Sequence, residues 1–169
     1  VEVAQHTRLF ELGELRPPDG VPGRLRAATL DDLDLASEWL DQFLVDAEAQ
    51  AGRTPTPHAP GDVADVQRRI EQGTYWFWLD GAGHRVHLTG ANPPAFGVAR
   101  IGPVYTPPEA RNRGYASALV ASISQGELDA GRRFCFLFTD LANPTANHIY
   151  QAIGYEPVRD VDMWRHDRP

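Results

Sequence analysis

The sequence predicts a mixed α/β fold, on three observations. Two short strand patterns at 75–79 and 86–89 flank Asp80-Gly81-Ala82-Gly83 and read as an antiparallel hairpin. A strand, helix, strand succession over about 96–138 needs a crossover and therefore a parallel pair. Helical patterns fill the stretches before, between and after these units, and 169 residues suffice for one domain with a sizeable core.

Taken in order, residues 7–15 form a strand-like stretch, and Pro17-Pro18-Asp19-Gly20-Val21-Pro22-Gly23 then breaks the chain as a linker. The expected organisation is an N-terminal extension and linker at 1–23 and one domain at 24–169. Arg24-Leu25-Arg26-Ala27 alternates as a strand, and Thr29 with Asp32 three positions on marks a helix start. Leu33, Leu35, Trp39, Leu40, Phe43 and Leu44 give that helix an apolar face. The segment 52–61 is rich in Pro and Gly, and Val63, Val66 and Ile70 recur at helical spacing in a second helix over 62–72. After the hairpin and the Asn92-Pro93-Pro94 break, Phe96 to Val104 reads as a strand and Ser117 to Ala130 as a helix ending near Gly131. Phe134-Cys135-Phe136-Leu137-Phe138 is a continuous apolar run, expected of a strand buried on both faces. Asn143-Pro144 starts a helix that stops at Gly154, and 155–158 with 161–164 close the fold as β structure.

Composition narrows the function. There are 23 acidic against 16 basic residues, a net charge of -7, which argues against nucleic acid as the partner and suits a cationic ligand. Cys135 is the one cysteine, so no internal disulfide forms and a reducing cytoplasm is the simplest compartment. No apolar run approaches the roughly 20 residues of a membrane span. The six histidines show no metal-ligand spacing, so no metal is expected. Val1 in place of Met leaves open a reading in which the chain is half of a longer enzyme.

The chemistry concentrates at Arg111-Asn112-Arg113-Gly114-Tyr115-Ala116, between the 96–104 strand and the helix that follows. Unpaired N–H groups at a helix start carry roughly half a positive charge, and Gly114 lets the backbone approach an anion with no Cβ in the way. A pyrophosphate suits such a point.

Here the residues resemble the GNAT superfamily of acyl-CoA-dependent N-acyltransferases, whose signature R/Q-x-x-G-x-G/A is met by Arg111, Gly114 and Ala116. Asn143, Tyr150 and Gly154-Tyr155 resemble the second motif of the family, in the same order. The likeness covers about 24–166, and its C-terminal half is most similar to the FR47-like branch. It implies a GNAT-like α/β (α+β) fold: a mixed, mostly antiparallel central sheet with a parallel βαβ crossover at the cofactor site and helices on both faces. It also implies acetyl-CoA as acyl donor, a primary amine of a small molecule or peptide as acceptor, and direct transfer in a ternary complex. Backbone groups at Val104, Tyr105 and Thr106 would hold the pantetheine arm. The loop Arg111, Asn112, Arg113, Gly114, Tyr115 and Ala116 would hold the pyrophosphate, and Asn143 would bond the arm or serve as a plain N-cap.

Transfer needs more than a donor site. An amine with a pKa near 10 is free base about once in a thousand molecules at pH 7, so its proton must leave before attack. Tyr150 is the candidate donor to the departing thiolate, although Ala146, Ile149, Tyr150 and Ile153 share a helix face and core packing is the competing role. No acid occurs in 96–106, where some relatives carry a glutamate. Glu109, Asp140, Asp46, Glu48 or a water chain remain as routes for the proton, and the missing carboxylate favours an alternative, a non-catalytic acyl-CoA-binding sensor or interaction module. Cys135 reads as a packing residue, and Trp39, Trp76 and Trp78 as core or as the lining of an acceptor pocket. Acceptor specificity is expected from 29–92, where no motif matches.

Overall fold

The computed structural model describes residues 2–50, 52, 62–93 and 95–165. Its strands are β1 (Glu2–Leu12), β2 (Arg24–Ala27), β3 (Tyr75–Leu79), β4 (Arg85–Ala91), β5 (Val98–Tyr105), β6 (Phe134–Asp140) and β7 (Tyr155–Arg165). The helices are α1 (Leu33–Gln50), α2 (Val63–Glu71), α3 (Tyr115–Asp129) and α4 (Pro144–Ala152). The strands form one sheet in the order β2-β3-β4-β5-β6-β1-β7, mixed because β5 and β6 run parallel and the other neighbours antiparallel. Most of the segment 52–61 lies outside the described residues.

Both faces of the β2–β5 half are covered. On one, Ala36 of α1 and Val66 and Ile70 of α2 pack on Tyr75, Phe77, Leu79 and Leu88. On the other, α3 sets Ala118, Leu119, Val120 and Ile123 against Trp78, Ala91, Ala99 and Ile101, and Tyr150, Ile153 and Tyr155 continue that core across Phe10 and Leu137. Four consecutive buried residues, Ala118 to Ala121, show that α3 is enclosed on its outer side as well.

The first helix begins as the Thr29–Asp32 spacing predicts, through a 3-10 turn at Leu30–Asp32. Asp32 does more than cap. It is buried and accepts from the Thr29 N–H at 2.8 Å, from Arg26 twice at 2.9 Å and from the Arg85 Nε at 2.5 Å. Burial alone would raise its pKa, but the Arg26 and Thr29 hydrogen bonds and the two positive charges hold it at about 2. Thus α1 is tied to β2 and β4 at the sheet's edge.

Three expectations change. The segment set apart as an extension carries β1, which lies within the sheet: Thr7 pairs with Asp140 of β6 on one side and Val161 of β7 on the other. Residues 13–23 are then an internal strap from β1 to β2. It is pinned by Gly13 N–H to the Gly154 carbonyl and Arg16 N–H to the Ile153 carbonyl, both 3.0 Å, and by Trp78 Nε1 to the Pro22 carbonyl, 3.0 Å. Gly154, at φ 104°, is required here, because a Cβ would stand 1.9 Å from the Glu14 carbonyl oxygen. The apolar run of β6 is also not buried on both faces. Cys135, Leu137 and Thr139 point into the core, whereas Phe134 and Phe138 are exposed on the opposite face. The two closing β segments are a single strand, β7.

Candidate active site

The parallel pairing of β5 with β6 is short. It runs through Val98 with Phe134, Ala99 with Cys135 and Arg100 with Phe136, and past Arg100 the described pairs of β5 are all with β4. There the β4–β5 register shifts, Gly90 alone facing both Gly102 and Pro103 between the Thr89–Val104 and Ala91–Ile101 pairs, which is a bulge. The bulge reverses which side chains face which side. Ile101 packs on the α3 side, whereas Tyr105 meets Trp39 of α1 with ring centroids 5.7 Å apart. Beyond it β6 pairs with β1, so two strand edges diverge from one apex. Unpaired main-chain groups along such an edge can be met by an extended ligand as a strand would meet them.

At the top of that gap a 3-10 turn, Pro108–Ala110, leads into the Arg111 to Ala116 loop. Asn112 at φ 62° and Gly114 at φ 79° take the left-handed conformation, which turns the chain sharply into α3. No side chain caps α3 and no acid lies in its first turn. The first N–H groups of the helix therefore face outward without an intrahelical acceptor. Tyr115 is buried, so it contributes its backbone and not its ring, whereas Asn112 and Arg113 are exposed. The strap closes one side of the loop: a Cβ on Gly114 would stand 3.1 Å from Val21 Cγ2.

Arg111 is held from beneath. Its Nε donates to the Thr106 carbonyl at 3.0 Å, and its Nη2 pairs with the Asp46 carboxylate of α1. The Thr106 hydroxyl is 2.7 Å from His87 Nδ1, and His87 Nε2 is 2.7 Å from the Thr89 hydroxyl. Burial without a countercharge pushes His87 down to about 3, so it stays neutral and donates from one ring nitrogen while accepting at the other. A continuous chain of contacts thus joins α1 to the loop and to β4.

Asn143 caps α4 through the Ala146 N–H at 3.0 Å. Next to it Asn147 bonds the Asp140 and Asn143 carbonyls at 3.3 and 2.8 Å and accepts from the Thr139 hydroxyl at 2.6 Å, locking α4 to the end of β6. Tyr150 is buried, with its ring centroid 6.4 Å from Phe10 and 6.3 Å from Tyr155. Burial raises its pKa well above that of a free phenol, which keeps it protonated as a donor must be. Glu109 is exposed and Asp46 is engaged by Arg111.

The structure therefore brings Val104, Tyr105, Thr106 and the 111–116 loop to one end of one gap, with Asn143 at the end of β6. Sequence reasoning missed His87, Asn147, Val21 and the pairing of Asp46. Each acts across 19 or more residues or through an ordinary polar pattern, and none stands in a recognisable spacing.

A sheet that parts around a bulged strand, with an uncapped helix N-terminus at the mouth, defines the GNAT fold class. Residues 95–165 match the family of FR47-like proteins, and the fold of the chain is similar to that of solved GNAT acetyltransferases. A GCN5-related N-acetyltransferase from Sphaerobacter thermophilus is similar at 17% identity and TM-score 0.66, over 95% of this chain and 51% of that one. This chain thus spans about half the length of that relative. A phosphinothricin acetyltransferase from Sinorhizobium meliloti, solved with AcCoA, matches at 23% identity and TM-score 0.63, over 79% of this chain and 75% of the other. AAC(6')-Iy, solved with the bisubstrate analogue CoA-S-monomethyl-acetylneamine, matches at 18% and 0.65, over 86% and 98%. At these identities the likeness is one of fold. No curated protein matches the sequence. No helix among the described residues is long and apolar enough to cross a membrane.

Proposed function

We propose that the chain transfers an acetyl group from acetyl-CoA to a primary amine by direct attack in a ternary complex. The observation that carries this reading is the divergence of β5 from β6 beneath the uncapped start of α3. An extended pantetheine fits between the strand edges while its pyrophosphate meets the N–H groups of Gly114 to Ala116. Arg113 is exposed at the same mouth and Arg111 is reachable once it exchanges Asp46 for phosphate. Asn143 lies where the arm would pass the end of β6. Similar folds solved with AcCoA and with a CoA bisubstrate analogue support the choice of donor.

In the reaction the ammonium first loses its proton to water in the open gap. The nitrogen lone pair then attacks the thioester carbonyl, the C–N bond forms, and N–H groups of the Val104 to Thr106 segment stabilise the oxyanion. On collapse the C–S bond breaks, the nitrogen gives up its second proton to water, and the thiolate takes a proton from Tyr150, which water restores. The products are an acetamide and CoA. The single buried thiol, Cys135, whose pKa burial and then Glu127 raise to about 11, suits a protein working in the cytoplasm.

Calorimetry with acetyl-CoA tests the donor site: micromolar to submillimolar binding is expected, and no binding at millimolar concentration would sink the reading. Thiol release across a panel of amines tests transfer. The absence of an acid from β5 favours one second reading, a domain that binds acyl-CoA without transferring it. Binding with no thiol release from any amine would select that reading.

A further inference from the structure

The exposed face of β6 lies beside the apex of the gap and has no role in the donor site. Phe134, Phe136 and Phe138 share that face because alternate residues of a strand do. With Leu9 and Glu11 of β1 and Val98 of β5 they line a pocket of about 300 Å³. Phe136 meets Phe138 edge to face at 5.9 Å, and Arg100 lies over the Phe138 ring at 5.1 Å, so the rings are held in place rather than loose.

Position gives the pocket its meaning. Val98 with Phe134 and Arg100 with Phe136 are the first and last rungs of the β5–β6 ladder, and Phe138 is two residues beyond, beside the gap. A molecule lying on these rings therefore ends where β5 and β6 part. That apex is where the thioester of a pantetheine threaded from the α3 end would arrive. Phe134 and Phe138 are 42% and 37% exposed, a cost a soluble surface avoids unless something covers it. The lining is apolar except for Glu11, and on the rim Glu11 is offset by Arg100 over Phe138, so selection by this pocket rests on its apolar rings. A volume near the low end of ligand pockets holds about one ring or a branched alkyl group.

We infer that this pocket receives the apolar body of the acyl acceptor, an amine bearing an aryl or branched alkyl group, with its nitrogen directed to the parting of β5 and β6. The inference rests on the transfer reading above and names the substrate class for it. It also moves specificity away from 29–92, toward β6 and β1.

The test uses 4-fluorophenethylamine and ethanolamine with acetyl-CoA. Phenethylamine-type turnover is expected to exceed that of ethanolamine at least tenfold in kcat/KM. Phe138→Ser and Phe134→Ser, both at partly exposed positions, are expected to cut this preference at least fivefold while the KM for acetyl-CoA stays within twofold. Fluorine NMR reads binding without turnover: the 4-fluorophenethylamine line broadens with the wild-type protein and sharpens with Phe138→Ser. An unbroadened line, or equal use of the two amines, overturns the pocket while leaving transfer to other amines standing. A broadened line with no thiol release removes the transfer reading and retains the pocket. Light scattering that shows a wild-type dimer reduced to monomer by Phe134→Ser assigns the face to a second copy of the chain and overturns the proposal.

Discussion

Two carboxylate and arginine clusters sit at opposite ends of α1, and they differ in how deeply the carboxylate is buried. At the start, Asp32 is enclosed by Arg26, Arg85 and Thr29, with every strong donor aimed at it. At the other end, Asp46 and the Thr106 carbonyl hold Arg111 at the lip of the gap, where its guanidinium remains about one third exposed. In the first cluster the carboxylate is fully buried while Arg26 and Arg85 reach solvent at their outer sides, and it serves the fold. The second is open on the ligand side, so its partner can be exchanged.

Removing the first cluster should have the largest effect. Asp32→Asn leaves Arg26 and Arg85 without a carboxylate, and because both arginines reach solvent the loss falls below that of a fully buried pair, to about 2–3 kcal/mol. Denaturant unfolding should register that loss, and a change below about 1 kcal/mol would show that solvent reaches the cluster. The same variant at Asp46 should not approach it.

Acid separates the clusters next. His87 holds its proton affinity at about 3 in the fold against 6.5 when unfolded, so only the unfolded chain takes the proton between those values. Stability from neutral His87 is thus present above pH 6.5 and is lost as pH falls toward 3, by about 1.4 kcal/mol per pH unit. Asp32, held at about 2 against 3.8, loses its contribution only below about pH 4. Wild-type stability should fall between pH 6 and 4.5, and His87→Gln should flatten that fall while lowering stability at pH 7. An unchanged slope would assign the titration elsewhere.

What the sequence makes legible follows the range of the interaction. The 111–116 loop shows because strand, turn glycine and helix start lie within twenty residues and each has local chemistry. The placement of β1 does not show, because Thr7 meets Asp140 and Val161 across more than 130 residues and no local pattern distinguishes an inserted strand from an extension. The β6 run reads as doubly buried because a continuous apolar pentapeptide has that form; only the neighbours reveal that the phenylalanines face a pocket. The bulge at Gly102-Pro103 was equally hidden, since β5 reads as an ordinary strand until its two ladders are compared.

Arg111→Ala should weaken acetyl-CoA binding about tenfold by calorimetry, in line with one lost charge-assisted contact, and should cost at most about 1 kcal/mol of stability. Equal loss of both would make Arg111 a structural residue like Arg26. Tyr150→Phe should leave that binding within twofold and lower kcat by about 10²-fold, and an unchanged turnover would confine Tyr150 to the core with Phe10 and Tyr155.

The smallest effect is the most discriminating. If Asp46 competes with phosphate for Arg111, then Asp46→Asn removes the competitor while the Nε contact to Thr106 still orients the guanidinium. The KM for acetyl-CoA should then fall about two- to threefold, and stability should stay within about 0.5 kcal/mol because the pair is partly solvated. If Asp46 instead holds Arg111 in the geometry that phosphate needs, the same change raises KM. The sign of a small shift therefore decides whether α1 restrains the donor site or helps to build it, and only a cluster left open on one side makes the question possible.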